Sequence, residues 1–341
     1  MLEAFALPGV RVQEGIDAEA FFRDIVPASR PVLFRGLVRA WPAVERALLS
    51  LEAVAGYLKD LDNGVPTTVL EANNAVEGRF AYGPDMRDFN FNRRTRTVSA
   101  GIDQLMGLAG HPHPPYIYIQ SSPTPDHLPG FAGQNVNPLL PAAVAPRIWI
   151  SNATRAQTHN DHDHNLACVV AGHRRFTLFP PEQVVNLYIG PHDHTPSGRA
   201  ISLASLEAPD FARFPRLKAA IAAAEVADMA PGDVLFIPKY WWHHVQSLDR
   251  FNVLINYWWG NSPNSAENPV AAFLAGLIAL KDLGSADKTY WKTMFDHYIF
   301  QTGDDPVAHI PPEVQGGLGR LTPAVRADMI RGLIQILSRR G

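Results

Sequence analysis

Residues 158–179, THNDHDHNLACVVAGHRRFTLF, join two kinds of sequence. The first part, THNDHDHN (158–165), packs three histidines and two aspartates into eight positions. The second holds two short apolar runs, LACVVA (166–171) and RFTLF (175–179), separated at Gly172. Runs of this length, rich in β-branched and aromatic residues and bounded by turn formers, read as strands. The same texture recurs at YIYIQ (116–120), RIWIS (147–151), VLFIP (234–238), HHVQSL (243–248) and NVLINYWW (252–259). Many short strands at such spacing predict a mainly β protein, an antiparallel sandwich or barrel.

The flanks differ. Residues 17–26 read as a short helix with Asp17 as N-cap, 31–37 as a strand and 40–58 as helical turns. Residues 61–115, rich in Asn, Gly, Arg and Pro, show weak periodicity and read as loops and short elements. From 264 the pattern is helical again, and 322–340 opens on Thr322 as N-cap and Pro323 at the first helical position. The expected division is therefore a β domain over 1–263, with N-terminal helical and loop elaborations, and a helical region over 264–341. Val325, Met329, Leu333, Ile336 and Leu337 form an apolar helix face that suits a homodimer contact or packing within the chain.

Composition excludes several classes. The net charge of −3 gives no general reason to expect nucleic acid or an anionic membrane as partner. RDFNFNRRTR (87–96) mixes Arg with Phe as single-strand binders do, yet reads more simply as a loop surface. The N-terminus lacks the basic region of a secretory signal, and the longest apolar run (269–280) is too short to span a bilayer. The one cysteine, Cys168, rules out an intrachain disulfide and fits a reducing compartment, so a cytoplasmic location is expected.

Within the polar stretch, His159 and Asp161 form H-x-D. On a strand these point to one face and can reach one ion. With 13 His and 33 Asp plus Glu in 341 residues, roughly one such pair arises by chance, so alone it is equally a polar loop with solvated histidines. A second stretch, PGDVLFIPKYWWHHVQS (231–247), adds a turn, a buried strand and a histidine pair after two tryptophans. Two histidines and one carboxylate with open positions is the pattern of non-heme Fe(II) oxygenases, and zinc also accepts such ligands. Asp163 shares the parity of the ligands and is not excluded by pattern.

Taken together, THNDHDHNLACVVAGHRRFTLFPPEQVVNLY, GDVLFIPKYWWHHVQS and INYWWG resemble the JmjC-type, cupin-like 2-oxoglutarate oxygenases, most of all the asparaginyl-hydroxylase branch and its bacterial cupin-like relatives. RPVLFRGLVRAWPA (30–43) is similar to the family's N-terminal segment, and the likeness covers roughly residues 30–260. It implies a double-stranded β-helix (jelly roll) with iron at its open end. It also implies His159, Asp161 and His243 as ligands, leaving His162, Asp163, His164 and His244 as neighbours.

Such an enzyme needs a cation for the far carboxylate of 2-oxoglutarate. Arg174 has the parity of Phe176 and Leu178, and an inward guanidinium needs an anion to offset its desolvation. Its planar fork suits a carboxylate, although the family branch carries Lys there. If the register slips by one, Arg175 faces inward instead. By resemblance, Tyr118, Asn165 and Asn256 hydrogen-bond the co-substrate and Trp258 lies near the iron. Ala156 stands where relatives have Thr, so that contact is lost or is taken over by Arg155 or Thr158. The segment 187–215 corresponds to the substrate entrance, with Arg199 and Gln120 as substrate-contacting candidates. PHDH (191–194) is a solvated loop or a second metal site. The implied activity is an Fe(II)- and 2-oxoglutarate-dependent hydroxylase that releases succinate and CO2 and oxidises a protein or peptide side chain or a small molecule. The alternative is a non-catalytic or zinc-holding binding module of the same fold.

Overall fold

The computed structural model describes residues 5–260 and 269–338. The expected domain boundary at 263/264 and the last two positions of the helix expected over 322–340 lie outside the described residues. Fourteen strands are described: β1 (Arg11–Gln13), β2 (Val32–Phe34), β3 (Thr67–Ala72), β4 (Arg79–Phe80), β5 (Asn92–Arg96), β6 (Tyr116–Pro123), β7 (Pro146–Ser151), β8 (Arg155–Asn160), β9 (His164–Ala171), β10 (Arg174–Phe179), β11 (Glu225–Met229), β12 (Val234–Ile237), β13 (Trp242–Ser247) and β14 (Asn252–Trp259). They form a nine-stranded sheet, β1-β2-β12-β9-β14-β7-β6-β3-β5, and a five-stranded sheet, β11-β10-β13-β8-β4. Pairing is antiparallel except for β1 with β2 and β4 with β8. The chain is mainly β with flanking helices, a jelly-roll architecture as expected.

Side-chain alternation divides the core. On β9, Leu166, Cys168 and Val170 join the cluster under the helices, with Phe21, Val44, Leu58, Ile102 and Phe131. Ala167 and Val169 point the other way, into the space between the sheets, where Phe176, Leu178, Val245 and Leu254 meet them. Both faces are thus buried, which is why this strand reads as one apolar run rather than alternating. On β14, Val253, Ile255 and Tyr257 face the helices. Period two therefore turns Leu254, Asn256 and Trp258 inward. The β9–β10 turn requires glycine. Gly172 has φ +72, and a Cβ there would lie 2.4 Å from Asn252 Oδ1. That turn fixes the register two residues on and makes Arg174, not Arg175, the inward residue.

The helices follow local rules. Asp17 Oδ1 accepts from the amide of Ala20 at 2.8 Å, opening a helical segment that runs to Ala28 with one wide turn over Phe21–Ile25. The helical stretch over 40–58 is two helices, Pro42–Leu49 and Leu51–Leu61, because Ser50 leaves the helical conformation and caps the second. Residues 61–115 are more regular than their sequence suggests. They supply β3 and β5 and the helix Val98–Leu108, with Thr97 as cap.

By contact density the chain divides into Met1–Gly260 and Asn261–Gly341. The second unit contains helices Pro269–Leu280, Ser285–Tyr298 and Pro323–Ser338. Thr322 Oγ1 accepts from the amide of Val325, the cap expected there. No described helix is long and apolar enough to cross a membrane.

Candidate active site

The inward faces of the two sheets enclose a cavity of about 700 Å³. On its floor His159 on β8 and His243 on β13 are directly opposed partners, with ring centroids 4.4 Å apart. Asp161 follows β8, and its carbonyl accepts from Tyr240 N at 2.8 Å. One ligand atom from each of His159, Asp161 and His243 lies within 4.8 Å of the others, the only such trio among the described residues.

The imidazoles are pre-oriented. His159 Nδ1 lies 2.7 Å from the Gln157 carbonyl and His243 Nδ1 lies 3.1 Å from the Trp241 carbonyl. A carbonyl can only accept, so Nδ1 carries the proton and each Nε2 lone pair is left for a metal. Burial first, and then the nearby His159, push the His243 pKa down to about 4, which keeps it in the neutral, ligating form. The donor set is two imidazoles and a carboxylate, and it fits a divalent transition metal.

Asp161 is tied to the opposite sheet. Its Oδ2 accepts from Trp258 Nε1 at 3.1 Å and Asn165 Nδ2 at 3.3 Å. Asn165 Oδ1 accepts from Asn256 Nδ2 at 3.3 Å, and Asn256 Oδ1 accepts from Trp149 Nε1 at 2.7 Å. Asn165 and Trp258 thus meet at the Asp161 carboxylate, and Asn256 extends the relay from Asn165 to Trp149. Trp149, its last member, was not singled out in the sequence. Its signal was the inward parity of RIWIS.

Arg174 points into the same cavity and is 2 % exposed. Its Nε and Nη2 are buried without a hydrogen-bond partner. Burial lowers its pKa to about 10, and burial raises Tyr118, which faces it, to about 12. A buried, unpaired guanidinium costs on the order of several kcal/mol unless an anion meets it. The site therefore fits a carboxylate. Arg175 points outward and forms a two-point pair with Asp228 at 2.6 and 2.9 Å.

The structure separates the adjacent histidines. His244 is buried on the outer face of β13, with Nε2 2.7 Å from Glu207 Oε1. Burial pushes Glu207 upward, but the adjacent His244 outweighs it and holds the carboxyl at about 2. Glu207 was not singled out in the sequence. Asp163 lines the cavity but lies outside the ligand trio. His162 lies near Tyr240, and His164 packs on Phe236 and Trp259.

Ala156 also lines the cavity, three residues before His159. An odd spacing shares a face because the β8–β13 register shifts between His243 and Val245, giving β8 one residue more than its partner. Neither Arg155 nor Thr158 reaches the lining. Thr154 and Gln157 do, and Gln157 Nε2 is buried without a partner. At the mouth lie Gln120, Arg147 and, from the 187–215 segment, Pro196 to Arg199 and Ile201. Arg199 Nε is 3.9 Å from Asp161 Oδ1. His194 of the PHDH stretch stacks on Phe89 at 4.8 Å. In the 87–96 stretch Arg94 and Arg96 pair with Glu71, and Arg93 donates to the Pro196 carbonyl.

Residues 18–265 match the model of the cupin-like domain. The chain belongs to the cupin-like (JmjC) domain family. It is 28% identical over 268 residues to the human bifunctional peptidase and (3S)-lysyl hydroxylase JMJD7, covering 70% of this chain and 80% of that one. It is 36% identical over 112 residues to lysine-specific demethylase JMJ31 of Arabidopsis thaliana, covering 33% and 20%. It is 25% identical over 249 residues to lysine-specific demethylase 8 of Danio rerio, covering 71% and 56%. The match spans 20% of the Arabidopsis protein's length, 56% of the zebrafish one and most of the human one. These cupin-like relatives carry the names of hydroxylases and demethylases. The likeness to the asparaginyl-hydroxylase branch rests on the sequence motifs alone.

Proposed function

We propose that this protein is an Fe(II)- and 2-oxoglutarate-dependent hydroxylase. The observation that carries this reading is the shared cavity: a two-histidine, one-carboxylate trio on its floor and an unpartnered, buried Arg174 in its wall. A binding module has no use for the second feature.

His159, Asp161 and His243 hold the metal. Arg174 holds the far carboxylate of 2-oxoglutarate, with Tyr118 beside it. Asn165 and Trp258 orient Asp161, Asn165 and Asn256 present their remaining amide groups to the co-substrate, and the Trp258 ring lies beside the metal site. When bound, Fe(II) and 2-oxoglutarate supply the oxidising power: O2 is consumed, succinate and CO2 leave, and one oxygen atom enters a substrate C–H bond. The apolar walls, Ala167, Phe176 and Leu254 among them, exclude water from that chemistry. Arg199 and Gln120 contact the substrate at the mouth. The name of the human relative favours a protein or peptide side chain over a small molecule as target.

The test incubates Fe(II)-loaded protein with 2-oxoglutarate, ascorbate and ¹⁸O₂, with and without peptide pools. Succinate formation is expected even without substrate, and labelled hydroxyl product with the right pool. Stoichiometric iron with no succinate from any mixture would instead support a metal-holding binding module.

We further infer a homodimer through the C-terminal helices. Met329, Leu333, Ile336 and Leu337 on Pro323–Ser338 are each at least 47% exposed, as are Phe273, Leu274 and Ile278 on Pro269–Leu280 at 48% or more. Apolar faces of this kind mark association surfaces. Light scattering at micromolar concentration is expected to give twice the chain mass of 37.5 kDa. A monomeric mass overturns the inference.

A further inference from the structure

Arg147 is a firmly held polar feature of the cavity that the metal and co-substrate reading leaves unused. It sits on β7, whose Ile148 and Ile150 face the helices, so Arg147 and Trp149 face inward. Its guanidinium is half-buried and lies over the Trp258 ring, 5.7 Å from the centroid. One edge is clamped: Nε donates to Ser121 Oγ and Nη2 to the Ser121 carbonyl, both at 2.7 Å. Ser121 takes the left-handed conformation, φ +51, where the β6–β7 register shifts between Ile119 and Ser122. A non-glycine residue in that region is strained, and such strain clusters at ligand clamps. The effect is to fix the plane of the guanidinium at the mouth.

No carboxylate lies within ion-pair distance of Arg147 among the described residues; burial lowers its pKa, and the charge of the more distant Asp126 offsets only part of that. Trp258, beneath it, donates its indole N–H to Asp161, so Arg147 is one ring away from the ligand trio. Arg199 flanks Asp161 from another side, and Arg93 completes the rim. The lining contains the four guanidiniums of Arg93, Arg147, Arg174 and Arg199 against two carboxylates. Of those carboxylates Asp161 belongs to the trio and Asp163 is already engaged. Even with 2-oxoglutarate on Arg174, the mouth stays cationic and repels a lysine or arginine side chain.

We propose that the substrate carries a carboxylate, seated on the free edge of Arg147 with Arg199 beside it. This rests on the hydroxylase reading and names its substrate class, which differs from the lysine in the human relative's name. The same chemistry is met by an Asp or Glu side chain in a peptide and by a free acidic amino acid.

The test is binding, read independently of turnover. Fluorescent peptides with one scaffold and a central Asp, Glu, Asn, Gln or Lys are titrated anaerobically into Fe(II)-loaded protein with 2-oxoglutarate. Competition arms contain free aspartate and glutamate or a single-stranded RNA. Asp or Glu peptides are expected to bind about ten-fold or more tighter than their amide counterparts at low salt, since a hydrogen-bonded charge is lost with the amide. Free acids competing at similar concentration identify a small-molecule source. Arg147→Gln should bring the preference within about three-fold, while Arg23→Gln, at an exposed arginine that pairs with Asp24 and does not line the cavity, keeps it. If Arg147→Gln fails to fold by near-ultraviolet circular dichroism, Arg199→Gln carries the comparison. Amide or Lys peptides binding as well as acidic ones overturn the proposal. So do undetectable binding of every peptide and free acid, RNA as the tightest ligand, and a preference that survives both substitutions. Succinate formed without peptide, in a parallel assay, tells failure of this proposal from failure of the hydroxylase reading.

Discussion

Arg174→Ala is expected to raise the 2-oxoglutarate concentration needed for half-maximal turnover by tens-fold or more. Arg174 is 2 % exposed and two of its nitrogens have no partner in the protein. Truncating one member of a buried, hydrogen-bonded charge pair costs on the order of 2–5 kcal/mol, most of it from stranding the other charge. Without the co-substrate the sign reverses. The wild type then carries an uncompensated buried cation, so the alanine variant should melt no lower than the wild type. A change in 2-oxoglutarate dependence together with an undiminished apo melting temperature separates a ligand anchor from a structural arginine. Arg174→Lys keeps the charge but loses the fork, and an intermediate defect is expected. Unchanged dependence in Arg174→Ala, with damage from Arg175→Ala instead, would mean that β10 presents its other face.

Alanine at His159, Asp161 or His243 should reduce bound iron from about one per chain to near zero while leaving the circular dichroism of the sheets intact, because three ligands are the minimum for this type of centre. His244→Ala serves as the control. His244 lies on the other face of β13 against Glu207, so that variant should keep its iron. Iron retained by the His243 variant and lost by the His244 variant would shift the assignment by one residue. Substitutions at Asn165 or Trp258 should act more weakly, about 10–100-fold in metal affinity, because they act through the orientation of Asp161. Iron content measured after gel filtration, beside a titration with Fe(II) under nitrogen, resolves both ranges.

Much of this site was legible in the chain itself. H-x-D and the Trp-Trp-His-His strand give the ligand types, while the family resemblance picks Asp161 over Asp163 and His243 over His244. Period two leaves Arg174 or Arg175 facing inward, and the turn at Gly172 decides for Arg174. What was not legible depends on where regularity breaks. The extra residue in β8 brings Ala156 to the face of His159, and no alternation pattern announces a bulge. The left-handed Ser121 that clamps Arg147 is equally silent. β5 reads as loop because this edge strand, NRRTR, carries arginine at three of its five positions, the usual protection of an open sheet edge. Glu207 lies in a long connection, and its meeting with His244 joins residues far apart in the chain.

The relay from Trp149 to Asp161 has a mechanical meaning. Both histidines are anchored in the five-stranded sheet, while the carboxylate is hydrogen-bonded to β9 and β14 of the nine-stranded one. A bound ion is therefore a rivet through the sandwich, and the spacing of the two sheets becomes a coordinate on which metal affinity depends. Linkage makes this reciprocal: whatever pries the sheets apart loosens the ion, and the ion resists prying by RT ln(1 + [M]/Kd). Cavities opened in the shared inner core, as by Phe176→Ala or Leu254→Ala, would then be felt as leakage of iron before they are felt as unfolding. Their cost in melting temperature would shrink as metal is added.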